Sequence, residues 1–149
     1  MNKEDRMKQK AEEMLSKISN TGFALRAEKE ATEAKLEGLK RQLSEALADC
    51  ALGDIPVKEV IRIKNQIAPV EDFLKDYPLI EDGLDRKAGQ QTAILRKAIT
   101  LQEYRRKYDN LKAELRDEYN PSSLESLQNL AMELNEREDC SRFLSKLKK

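Results

Sequence analysis

The stretch with the most chemistry-bearing residues is Tyr104-Arg105-Arg106-Lys107-Tyr108. Cationic side chains interleaved with aromatic ones can neutralise phosphates while the rings stack on bases. A second basic cluster, Arg142, Lys146, Lys148 and Lys149, closes the sequence. Together they give one functional reading: a small nucleic-acid-associated helical protein gripping through Arg105, Arg106, Lys107, Lys146, Lys148 and Lys149. A plainer reading competes with it. At helical spacing Tyr104 and Tyr108 lie one turn apart on the face of Leu101 and Leu111. That makes them core-edge tyrosines with hydroxyls reaching water and the three charges pointing away. Cations near a helix C-terminus also complement its dipole without any ligand. The plainer reading is preferred, and a nucleic-acid partner is not expected.

Catalytic constellations do not form from this sequence. It has no histidine, which removes the commonest general base and zinc ligand. No glycine-rich phosphate loop or nucleophile elbow is present. Helical carboxylates can hold metals, but the acidic residues here mostly sit beside Lys or Arg, as on a solvated surface. No catalytic residue, metal or cofactor is assigned, and the chain is read as non-enzymatic. The two cysteines, Cys50 and Cys140, lack CxxC spacing and are expected to be reduced and unbridged. The opening residues show no signal-peptide pattern, and no apolar run reaches membrane-spanning length, so a cytoplasmic setting without membrane is expected.

The elements that would position these residues are helices. Charged residues make up 38% of the chain, hydrophobic residues 39%, and Lys+Arg balance Asp+Glu at 28 each. That charged share is well above the roughly 25% of ordinary globular chains. It suits helices that bury a narrow stripe and wet the rest. Five glycines and four prolines leave few interruptions. From Met7 to Cys50, apolar or small residues recur at alternating spacings of three and four: Leu15, Ile18, Leu25, Leu36, Leu39, Leu43, Ala46, Cys50. This is a coiled-coil seam. Ser19-Asn20-Thr21-Gly22 costs it roughly 2–3 kcal/mol in helix propensity, yet the phase survives, favouring one continuous helix over residues 1–52, with Gly22 as the place for a bend.

Gly53 suits the left-handed residue after a helix end, and Pro56 a first turn. An antiparallel return helix is expected over 55–77, kinked or briefly broken at Pro69. Pro78 would end it, and a third long helix would run over 79–119. Asn120-Pro121-Ser122-Ser123 marks a boundary. Ser122 with Glu125 would form a capping box opening a fourth helix over 122–148. Its stripe is interrupted at Glu136–Asp139, either a solvated stretch or the point where the helix leaves the body.

The expected fold is a single all-α domain over 1–149: an elongated helical hairpin or coiled-coil bundle of about four helices, without β-sheet. The expected function is that of a scaffold, adaptor or assembly component working through helix-to-helix contacts. A helix ending at Tyr77 could cover only about half of the first one, leaving Leu15, Ile18 and Leu25 unpaired. A homo-oligomer, most simply a dimer, is therefore expected, with Leu15, Ile18, Leu25, Leu36, Leu39 and Leu43 at its interface. Another helical protein is the other expected partner.

Overall fold

The computed structural model describes residues 1–147. It is 91% helical, with no strand among the described residues. The helices are α1 (Lys3–Ala51), α2 (Val57–Asp117), α3 (Pro121–Glu133) and α4 (Arg137–Leu147). By contacts the chain divides into two compact units. The hairpin unit is Leu15–Gly89; the clasp unit is Met1–Met14 together with Gln90–Lys149.

Helix α1 is continuous through Ser19–Gly22. Asn2 opens it, its Oδ1 accepting from the Asp5 amide at 2.9 Å. At the other end Gly53 adopts φ 80. The Gly53 amide donates to the Cys50 carbonyl at 3.0 Å and the Asp54 amide to the Asp49 carbonyl at 2.9 Å. This pair of bonds is the Schellman ending, which satisfies carbonyls that the helix leaves open and favours glycine at the left-handed position.

The largest departure from the sequence reading is α2. Helices expected over 55–77 and 79–119 are one 61-residue helix, unbroken at Pro69 and Pro78. Each proline removes one amide donor and crowds the preceding turn. Both rings lie on exposed positions, while neighbouring seam residues Val70 and Tyr77 are buried. Tertiary packing on the seam face outweighs the local cost.

The boundary after α2 also moved. Asn120, not Ser122, caps α3, its side chain accepting from the Ser122 amide at 3.0 Å. Pro121 explains this. It fits the first helical turn and pushes the residue before it into extended geometry, here φ −139, ψ 120, as an N-cap requires. The single helix expected over 122–148 is two, because Asn135 takes φ 57. The Glu136 amide donates to the Ala131 carbonyl at 2.7 Å and the Asn135 amide to Met132 at 3.2 Å, a second Schellman ending. Asparagine tolerates this geometry better than most residues.

In the hairpin unit, Leu39 and Ala46 of α1 pack with Val60, Ile63, Ile67 and Val70 of α2, flanked by Leu36, Leu43, Cys50 and Ile55. The three-and-four spacing on both helices brings these residues to one shared seam. The pairing is antiparallel: farther back along α1, Lys29 Nζ sits 4.9 Å from the Tyr77 ring centroid. In the clasp unit, Tyr108 and Leu115 of α2 join Leu127, Ala131 and Leu134 with Cys140 and Phe143 of α4 in one apolar cluster.

Candidate functional site

The densest polar constellation lies in the clasp unit, on one face of α2. Gln102, Arg105, Tyr108 and Lys112 follow at helical spacings of three and four, so their side chains emerge together. Arg105 Nη2 donates to Glu4 Oε1 and to Glu136 Oε1, both at 2.9 Å, and its Nε reaches Glu4 Oε2 at 3.4 Å. Glu4 is 2% exposed. Gln102 Nε2 donates to Asp5 Oδ1 at 2.6 Å. The Tyr108 hydroxyl donates to Asp139 Oδ2 at 2.6 Å, and Lys112 Nζ to the same oxygen at 3.0 Å. The Lys112 ammonium also lies 5.1 Å from the Tyr108 ring centroid and 5.3 Å from that of Phe143.

The electrostatics follow from these contacts. The hydrogen bond to Glu4, reinforced by Glu136, holds the Arg105 guanidinium even more firmly protonated than usual. Burial, followed by the bond to Asp139, pushes the Tyr108 phenol well up. The Tyr108 hydroxyl and then the Lys112 ammonium hold the Asp139 carboxyl below the ordinary carboxylate range. Burial raises the Cys140 thiol, which disfavours the nucleophilic thiolate. Among the described residues no buried side-chain nitrogen or oxygen lacks a hydrogen-bond partner, and no cluster of His, Cys, Asp and Glu has metal-binding geometry. The cluster cross-links the start of α1, the middle of α2 and the α3–α4 turn. It is a structural clasp, since both of its cations, Arg105 and Lys112, are already held by carboxylates within it.

This placement corrects the reading of Tyr104–Tyr108. Tyr108 is wholly buried and its hydroxyl meets a carboxylate rather than water. Arg105 does not point away: it lies on the packed face with both its carboxylates. Arg106 and Lys107 stay on the exposed side, each 3.9 Å from Glu103. Lys146 is exposed, while Lys148 and Lys149 lie outside the described residues.

The residues expected at an oligomer interface sit in the hairpin unit. Leu36, Leu39 and Leu43 pack against α2 of the same chain. Leu15, Ile18 and Leu25 line a cavity with Tyr77, Leu84 and Ala88. Because α2 continues past Pro78, these three do have partners within the chain. A second copy is therefore not needed to cover them. Sequence reasoning missed Glu4, Glu136 and Asp139 as partners of α2. Glu4 did carry a signal, since it lies seven residues before buried Ala11, in the seam's own phase.

No family model, curated protein or solved structure matches the chain.

Proposed function

We propose that this chain is a non-enzymatic interaction protein, a scaffold, adaptor or assembly component acting through helix-to-helix contacts in the cytoplasm. One observation carries the reading. With Leu36, Leu39 and Leu43 packed against α2 of the same chain, large aliphatic residues still stand exposed around the α1–α2 turn: Leu47 at 47%, Leu52 at 75%, Val57 at 62% and Ile61 at 51%. Val57 and Ile61 are one helical turn apart and share a face. Leu47 lies one residue past seam residue Ala46, and Val57 three residues before seam residue Val60, beside the antiparallel seam. Apolar surface gathered in this way marks protein–protein contact sites.

The same surface is the proposed site of homodimerisation, since a patch at a turn can meet its own copy about a two-fold axis. It replaces Leu15, Ile18 and Leu25 in that role. Cys50 and Cys140 are free thiols, which accords with a reducing compartment. No described helix is long and apolar enough to cross a membrane. Arg105, matched by Glu4 and Glu136, gives no support to a nucleic-acid role.

The test is light scattering after size exclusion over a concentration series, for the parent and for Leu47→Glu, Ile61→Glu. Both substitutions are at exposed positions and should leave the helical circular dichroism unchanged. Concentration-dependent association of the parent, lost in the double variant, is the expected result. Equal association of both proteins would reject this surface, and a parent monomeric at every concentration would reject the homodimer.

A further inference from the structure

Within the hairpin unit the seam opens into a cavity of about 540 Å³, lined by Leu15, Ile18, Gly22, Leu25, Tyr77 and Leu84. Its origin is visible in the sequence. Gly22 falls four residues after Ile18 and three before Leu25, so it holds a seam position without a side chain. A Cβ built on it meets nothing within 4 Å. Ala88, also on the lining, adds only a methyl group. The volume falls in the roughly 300–1,000 Å³ range of small-molecule sites.

The rim is charged in a particular way. Glu81 and Asp85 lie one turn apart on α2, and both contribute to the lining. Neither forms an ion pair among the described residues. Glu81 falls seven residues before Ala88 and four after Tyr77, in the seam phase of α2. Across the cavity Arg26 is the lining's one cation, against two carboxylates, and it too is without an ion pair among the described residues. Aliphatic walls with a net negative rim are complementary to an apolar body carrying positive charge.

We propose that this cavity binds a small amphipathic cation, an aliphatic or aromatic body bearing one ammonium or amidinium group. The body replaces the side chain that Gly22 lacks, against Leu15, Ile18 and Leu84. The cation faces Glu81 and Asp85. An anion of the same shape would meet two carboxylates against one cation and is disfavoured. The site is separate from the exposed residues at the α1–α2 turn and does not depend on their role.

The test uses the full chain with octylammonium and octanoate, each below its micellar range. Binding is followed by calorimetry and by methyl chemical shifts. Octylammonium should bind with one-to-one stoichiometry and shift Leu15, Ile18 and Leu84. Octanoate should bind at least about tenfold more weakly. Gly22→Leu, which fills the space, should abolish binding. Glu81→Gln with Asp85→Asn, both at exposed positions, should weaken octylammonium about tenfold or more and narrow its preference over octanoate. This variant keeps the test decisive if Gly22→Leu does not fold. Arg26→Gln should tighten octylammonium. Absence of octylammonium binding, equal binding of octanoate, shifts confined to other residues, or unchanged affinity in the carboxylate variant would each overturn the proposal.

Discussion

The hairpin unit and the clasp unit solve the same problem with different chemistry. Both must join α1 to α2. The hairpin unit does so with aliphatic knobs, Leu39, Ala46, Val60, Ile63, Ile67 and Val70. Such packing is strong but forgiving: it tolerates a missing side chain at Gly22 and leaves a cavity there. The clasp unit places Glu4 against Arg105 where an apolar pair would otherwise sit. A buried ion pair has little net worth over an apolar pair, but breaking it is costly. The clasp unit is therefore intolerant where the hairpin unit is lenient. It also fixes which residues meet, because Arg105 must satisfy carboxylates from both α1 and the α3–α4 turn.

The largest expected effect is at Arg105. Arg105→Ala strands the buried Glu4 and should cost about 3–5 kcal/mol, read as a lower urea midpoint of the full chain. A loss near 1 kcal/mol would place the clasp among ordinary surface ion pairs and erase the contrast. Leu39→Ala should follow at about 2–4 kcal/mol through cavity formation. A much smaller loss would show that the hairpin seam closes around the void. Gly53→Val comes next, at about 1 kcal/mol or more, because a β-branched residue resists positive φ. An unchanged midpoint would mean that the turn is free to rearrange.

The smallest expected effect is a difference in pH profile. Asp139 is held low in the folded state, so its contribution is present at neutral pH and lost as pH falls through its folded pKa. Asp139→Asn should flatten the acid limb of melting temperature against pH. Tyr108 has the opposite sign. Its raised folded pKa gives stability that is complete below the unfolded tyrosine value of about 10 and declines as pH rises above it. Tyr108→Phe should remove that alkaline decline. Identical profiles for parent and variants would show that the Tyr108–Asp139 bond is not coupled to folding.

Much of this architecture was legible in the sequence. The seam from Leu36 to Cys50, its match from Val60 to Val70, and the left-handed Gly53 all follow from periodicity and backbone sterics. Pro78 misled because local propensity was weighed without the seam on either side of it. Asn135 was hidden because its left-handed turn is signalled by only one residue. The clasp was hidden for a different reason. Arg105 and Glu4 are 101 residues apart, and a charge gives no sign of which distant charge it will meet. The cavity at Gly22 was half legible. The glycine is visible there as a weak helix former, whereas its larger effect is the side chain missing from the seam.

The clasp unit is discontinuous in sequence, with the whole of Leu15–Gly89 between its two pieces. During synthesis the hairpin unit has every residue it needs once Gly89 has left the ribosome. The segment Met1–Met14 emerges before any of it, but Glu4 meets Arg105, which also holds Glu136, only after α2 and the α3–α4 turn have been made. Residues translated ahead of the hairpin unit are thus covered only after that unit is complete. In that interval Glu4, Ala11 and their neighbours are open to solvent, chaperones and proteases, whatever the stability of the finished fold.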